Sequence, residues 1–140
     1  WWMTAPEPPV QRPMIVLDGN GDAAVNTVAV LSQVSPAYSP DERALVAVST
    51  PRTGVRESDV RATLTEWFGG AVTEWETLRV DAIERAQPKQ RVGEDPDQSV
   101  RLASGLFVAG DHRQHPSIHG ALVSGCRAAD AVVAKLCRDH

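Results

Sequence analysis

The sequence predicts an α/β fold of the α+β kind, in which a largely antiparallel sheet with one or two helices precedes a final strand and a long C-terminal helix. Short apolar runs separated by Gly, Pro and Asp recur through the first half, as is typical of strands. After Ser58 the apolar residues recur at three- and four-residue steps, which indicates a helix. A last short apolar run, a polar loop and a long helix-favouring segment close the chain.

The first half predicts three short strands. The segment from Trp1 to Pro13 is rich in proline and cannot propagate a helix, so we expect it to be extended. Trp1 to Met3 would be the tail of a strand whose partners lie outside this chain, or simply an apolar end. Turns are expected at Asp18 to Asp22 and around Tyr38, and an antiparallel meander is expected from strands at Met14 to Leu17, Val25 to Leu31 and Ala44 to Ser49.

One amphipathic helix and one further strand follow. The helix would begin with Ser58 as its N-cap and stop at Gly69-Gly70. Weak alternation from Trp75 to Ile83 indicates a strand, and we expect Trp67 and Trp75 to pack in the core. The charged, proline-containing segment from Lys89 to Gln98 is typical of a flexible connector.

The C-terminal segment predicts a strand, a loop and a helix. Leu106 to Ala109 is long enough for a buried strand, which stops at Gly110-Asp111. Ser117 is placed as an N-cap for a helix that ends near Arg138. Small residues line the first turns of this helix, where each glycine costs roughly 1 kcal/mol of helix propensity. Small residues at these positions favour close approach of a backbone or a flat ligand, or tight packing of the helix on a sheet. The small residues are Gly120, Ala121, Ser124, Gly125, Ala128 and Ala129.

Composition excludes several classes of protein. Hydrophobic residues make up 42% of the chain and the net charge is −4, which favours a globular protein and argues against a nucleic-acid binder. No run approaches the roughly 18 apolar residues of a membrane span.

Cys126 and Cys137 would lie roughly 16 Å apart on one helix, too far for a disulfide. Free, half-buried thiols suit a reducing compartment, so we expect a soluble, cytoplasmic protein.

The segment GLFVAGDHRQHPSIHGALVSGCRAADAVVAKL resembles the C-terminal flavin-binding motif of FAD-dependent oxidoreductases of the amine oxidase and phytoene desaturase superfamily. In that motif a strand ends in Gly-Asp and a helix starts at Pro-Ser-Ile-x-Gly-Ala-x-x-Ser-Gly. The upstream part, including PMIVLDGNG and WETLRVDAIERAQP, is more loosely similar to the substrate-domain half of such proteins. The resemblance implies dehydrogenation of a C–N or C–C bond by hydride transfer to FAD, with a small molecule as the substrate.

The resemblance also implies which residues bind FAD. The Gly-Asp pair would lie against the ribityl and pyrophosphate region, and the backbone amides that start the helix would face the pyrimidine edge of the isoalloxazine. Ser124 and Gly125 would keep the helix thin. Two positions differ from the motif. Cys126 replaces the first arginine after Gly125, and His119 replaces a residue with an amide side chain. Arg127 matches the second arginine of the motif. The cofactor-binding residues implied are Gly110, Asp111, Pro116, Ser117, Ile118, Gly120, Ala121 and Ser124.

The resemblance implies three segments. Residues 1–88 would form a substrate-domain-like sheet and helix, residues 89–104 a connector, and residues 105–140 the last strand and C-terminal helix of a Rossmann-like FAD-binding domain.

A dinucleotide-binding fingerprint, GxGxxG between a strand and a helix, is not found in the sequence. DGNGD has only two glycines and precedes VNTVAV, a strand-like run, so a hairpin or loop turn is the better interpretation. The chain also starts at Trp1 rather than methionine. We therefore expect the C-terminal part of a flavoprotein, inactive in isolation because the half that binds ADP is absent, with that complementary N-terminal half as a partner. The alternative is a non-catalytic remnant or interaction module that pairs with another chain.

Three histidines near Asp111 raise the question of a metal site. The spacing of His112, His115 and His119 could cluster their imidazoles if the loop were helical. Pro116 pushes the preceding residue out of the helical region, so we expect no metal site. One of these histidines could act as an acid or base near pH 7, but the sequence identifies no partner for it.

Overall fold

The computed structural model describes residues 1–138, and the chain divides into two compact units, residues 1–84 and residues 85–140. Among the described residues no helix has both the length and the apolar character needed to cross a bilayer.

The first unit is a five-stranded antiparallel sheet with one long helix. Its elements are β1 (Trp2–Ala5), β2 (Ile15–Leu17), β3 (Thr27–Val30), α1 (Leu31–Val34), β4 (Ala44–Ser49), α2 (Glu57–Phe68) and β5 (Glu76–Arg79). The strand order is β2-β3-β4-β1-β5. Short 3₁₀ turns lie at Pro36–Tyr38 and Gly70–Glu74.

The meander of β2, β3 and β4 is confirmed, but the expectation for the N-terminal strand is wrong. β1 finds both neighbours within this chain, because Met3 lies opposite Val46 of β4 and opposite Thr77 of β5. Met3 is fully buried, so burial of its side chain in the core stabilises this pairing.

The DGNGD segment forms the turn of the β2–β3 hairpin. The carboxylate of Asp18 accepts hydrogen bonds from the backbone N–H groups of Asn20 and Ala23, both at 3.0 Å. These backbone donors, that of Ala23 foremost, lower the pKa of Asp18. β3 then follows in antiparallel register, with Val28 opposite Val16. No helix follows this turn, as the hairpin interpretation predicts.

The core of the first unit lies between the sheet and α2. Alternate residues of β3 and β4, including Val28 and Val46, pack with Val60 and Leu64 of α2. Trp75 is only 4% exposed and its ring lies 5.8 Å from that of Phe68, which confirms the prediction for this tryptophan. Trp67 is partly buried against the same cluster.

The helix α2 begins two residues before the predicted position. Ser58 is therefore inside the first turn, and Arg56 occupies the N-cap position without a side-chain cap. Arg56 instead pairs with Asp59 at 3.0 Å. The predicted stop is confirmed, since Gly69 has φ 79°, a conformation that favours glycine.

Arg61 joins α2 to the segment that leads into β5. Its guanidinium donates to Glu57 at 2.7 Å and to the carbonyl oxygens of Val72 and Trp75 at 3.2 and 3.1 Å. The hydrogen bond from Arg61, followed by one from the Thr77 hydroxyl, lowers the pKa of Glu57. Arg61 thereby satisfies two carbonyl groups that follow the helix.

The second unit contains a short hairpin and the long C-terminal helix. Its elements are β6 (Arg101–Ala103), β7 (Leu106–Phe107), a 3₁₀ turn (Asp111–Arg113) and α3 (Ile118–Leu136). The predicted buried strand is wrong in length and burial. Among the described residues, β7 covers two residues, pairs with β6 in a two-stranded sheet and leaves Leu106 54% exposed.

The last helix ends at Leu136, close to the predicted limit. Both of its cysteines are free, as predicted, but they are exposed rather than half-buried. The spacing of the two residues along one helix explains why they do not pair.

Candidate functional site

Ser124 fixes the end of the β7 segment against α3. This side chain is fully buried. The backbone N–H of Gly110 donates to its hydroxyl oxygen at 2.9 Å, and the same oxygen lies 2.8 Å from the carbonyl oxygen of Gly110. Gly110 has φ 148°, and a Cβ there would lie 2.6 Å from the ring of His112. Glycine is therefore required where the chain turns into the loop.

Asp111 begins the 3₁₀ turn, which packs against α3. Asp111 is half-buried, and its carboxylate has no hydrogen-bond partner among residues 1–138. Its backbone carbonyl accepts the N–H of Gln114 at 3.0 Å. The predicted carboxylate thus belongs to a turn that packs against the predicted helix, and its oxygens are unpaired among the described residues.

Ser117 is the N-cap of α3, as predicted. Its hydroxyl accepts the N–H of Gly120 at 2.9 Å, and its carbonyl accepts the N–H of Ala121 at 3.0 Å. Within the described chain, the N–H groups of Ile118 and His119 have no acceptor, and the Ile118 side chain is 85% exposed. The positive end of the helix dipole therefore carries two unpaired donors.

Gly120 is buried against the loop of its own chain. A Cβ at this position would lie 2.0 Å from the carbonyl oxygen of His115. The sequence favoured close approach of a backbone or a flat ligand here, and the structure shows a backbone. Gly125 has open space where a Cβ would be, so no close approach explains it.

A small cleft lies beside Asp111, between the 89–98 segment and the loop. Its volume is about 70 Å³, well below the roughly 300–1,000 Å³ of pockets that enclose drug-sized ligands. It can hold one polar group but not a tricyclic ring. The lining residues include Pro88, Lys89, Glu94, Gln98, Asp111, His112, Gln114 and Pro116.

The histidines of the loop do not converge on one point. The rings of His115 and His119 lie 5.7 Å apart, and His112 is exposed. Within residues 1–138 no group of three or more His, Cys, Asp or Glu side chains is arranged to hold a metal ion.

The predicted site residues divide into two groups. Asp111, Ile118 and the backbone at the start of α3 present unpaired polar groups, whereas the polar groups of Ser117 and Ser124 bond within the chain. The sequence reasoning missed the link between Ser124 and Gly110. A serine two turns into the helix and directly after the apolar run Ala121–Val123, where a buried hydroxyl needs a partner, is the signal that could have found it.

The start of α3 is exposed and carries unpaired N–H groups. Unpaired N–H groups at a helix N-terminus suit ring carbonyls and negative charge, and the free carboxylate of Asp111 suits sugar-like hydroxyls.

Comparison with known proteins agrees with this chemistry. The model of the family described as flavin containing amine oxidoreductase matches residues 8–133, which is well over half of the chain. No curated protein and no solved structure gives a significant match. On the strength of the family match, the chain belongs to the flavin containing amine oxidoreductases.

Proposed function

We propose that this chain is the substrate-binding and flavin-closing part of an FAD-dependent oxidoreductase that dehydrogenates a C–N or C–C bond of a small molecule. Family membership supports flavin-dependent oxidoreductase chemistry. A bound FAD supplies that chemistry by accepting hydride at N5 of its ring. The choice of FAD and of the bond oxidised is part of the proposal.

The observation that carries the proposal is the open N-terminus of α3. The unpaired N–H groups of Ile118 and His119 would hold the pyrimidine edge of the ring, where donors favour negative charge. Asp111 would accept hydrogen bonds from the ribityl hydroxyls. Gly110 and Ser124 would act by fixing Asp111 relative to the helix.

We also propose that a complementary dinucleotide-binding half, carrying GxGxxG, packs on the exposed face of α3. The glycines of DGNGD are used in a hairpin turn, so the sequence leaves the ADP moiety without a fingerprint. Four apolar residues within about 60° of one another around α3 are exposed, which is unusual for a face that meets only water. They are Ile118 at 85%, Leu122 at 64%, Val133 at 58% and Leu136 at 55%.

The same exposed face supports a second candidate function. A non-catalytic interaction module would also use an apolar helix face to pair with another chain. The two functions differ in whether the paired complex binds and reduces a flavin.

Absorbance titration with FAD separates them. We expect no binding, or weak binding, by the chain alone. When a separately expressed dinucleotide-binding half of a family member is added, we expect a yellow complex. Light should reduce the flavin of this complex in the absence of substrate. Pairing without flavin binding would support the interaction module and contradict the enzyme.

Paired variants test the proposed contact. Leu122→Asp should abolish the complex, because the charge would be buried without a partner. Leu17→Asp is the control, since Leu17 is comparably exposed, at 67%, but lies on the edge strand β2 of the first unit. Equal effects of both variants would contradict the use of α3 as the contact.

A further inference from the structure

Arg127 of α3 contacts two segments of the second unit at once. Its Nη1 lies 3.0 Å from a carboxylate oxygen of Asp97 and 3.4 Å from the carbonyl oxygen of Arg113. Its Nη2 donates to the carbonyl oxygen of Gln98 at 3.1 Å. One guanidinium therefore joins the helix to the connector and to the loop that precedes the helix.

Further hydrogen bonds join the connector to the same loop. Asp97 accepts from the side-chain amide of Gln114 as well as from Arg127. The backbone N–H of Gln98 is shared between the carbonyl oxygen of Pro96 at 2.9 Å and that of Arg113 at 3.2 Å. The connector thus contacts the loop at Arg113 and Gln114, shortly before the Ser117 cap.

We propose that Arg127 and Asp97 form a latch that positions the loop from His112 to Pro116, and with it the unpaired N–H groups at the start of α3, for flavin binding. This inference rests on the proposed function. Arg127 acts through the loop and is a positioning residue. A loop that is already ordered loses less entropy when a ligand binds, which raises the affinity.

The arrangement requires arginine rather than any cation. An exposed ion pair by itself contributes little, and the side chains of Arg127 and Asp97 are 34% and 60% exposed. The planar guanidinium can donate to two carbonyl oxygens and a carboxylate at fixed angles, whereas the ammonium of lysine is a point charge on a flexible stem. Arg127→Lys should therefore rescue the latch only in part.

The first test uses amide hydrogen exchange on the full chain without FAD. Arg127→Ala and Asp97→Asn should speed exchange of the Gln114 backbone amide, which donates to the carbonyl oxygen of Asp111 within the loop. Arg91→Ala is the matched control, because Arg91 pairs with Glu94 within the connector at 3.7 Å. Unchanged exchange in Arg127→Ala would overturn the latch.

The second test measures FAD affinity and the flavin absorption bands in the complex with the dinucleotide-binding half. We expect Arg127→Ala to weaken FAD binding about tenfold, through loss of its hydrogen bonds, and to shift the bands. Arg127→Lys should lie between this variant and wild type, and Arg91→Ala should match wild type.

Two results would overturn the positioning role. If Arg127→Ala lowers only the thermal midpoint and leaves the affinity and the bands unchanged, Arg127 has a structural role alone. If wild type binds no FAD, the proposed function fails and the positioning role fails with it. The amide exchange measured without FAD still shows in that case whether Arg127 and Asp97 hold the loop.

Discussion

Gly120→Ala should destabilise the C-terminal unit, although alanine is the better helix former. The added Cβ would lie 2.0 Å from the carbonyl oxygen of His115, so the loop must retreat by at least 1 Å to reach the 3.0 Å limit of real contacts. Such overpacking costs about 1–3 kcal/mol. The retreat also strains the cap from Ser117, worth about 0.5–2 kcal/mol. Helix propensity returns about 1 kcal/mol, which leaves a net loss of about 2 kcal/mol.

Gly125→Ala is the matched control, because open space lies where its Cβ would be. It should stabilise α3 by up to about 1 kcal/mol. Amide exchange along α3 and far-ultraviolet circular dichroism during thermal unfolding would measure both variants. Equal or greater stability of Gly120→Ala than of Gly125→Ala would refute the reasoning.

Three further predictions concern single contacts. Ser124→Ala leaves the N–H of Gly110 without its acceptor, so we expect a loss of about 1–3 kcal/mol and faster exchange of that amide; unchanged exchange would contradict the link. Hydrogen bonding from Arg61 lowers the pKa of Glu57 below its ordinary value of 4.5. The ionised carboxylate therefore makes its full contribution to stability at a pH above 4.5, and this contribution is lost as the pH falls through the lowered pKa. Glu57→Gln should therefore make the thermal unfolding midpoint less dependent on pH below 4.5. The same pH dependence in the variant and in wild type would contradict this role of Glu57. Trp75→Ala should cost about 3–5 kcal/mol in urea unfolding followed by circular dichroism, because the ring is buried; a cost below about 1 kcal/mol would be typical of a surface residue.

The sequence predicted elements where local chemistry is decisive. Alternating apolar residues defined β4 with its observed limits, because only one register buries the alternate residues Ala44, Val46 and Val48. Gly69 marked the end of α2 and Ser117 the start of α3, since both roles depend on the backbone conformation or hydrogen bond of one residue.

Features that depend on distant partners were not predictable from the local pattern. The pairing of β1 depends on β4 and β5, which are remote in sequence. The exposure of Leu106 depends on what lies beside β7, and an apolar run looks the same in a central strand and in a two-stranded hairpin.

The sequence alone determined the family resemblance, the position of the flavin motif and the cap that starts α3, because these depend on residue order and short-range hydrogen bonds. Only the tertiary structure decided that Gly120 faces the backbone of its own loop, that Ser124 holds Gly110, and that Arg127 joins the connector to the loop. These contacts join residues that lie apart in the sequence, and the folded chain brings them within hydrogen-bonding or van der Waals distance.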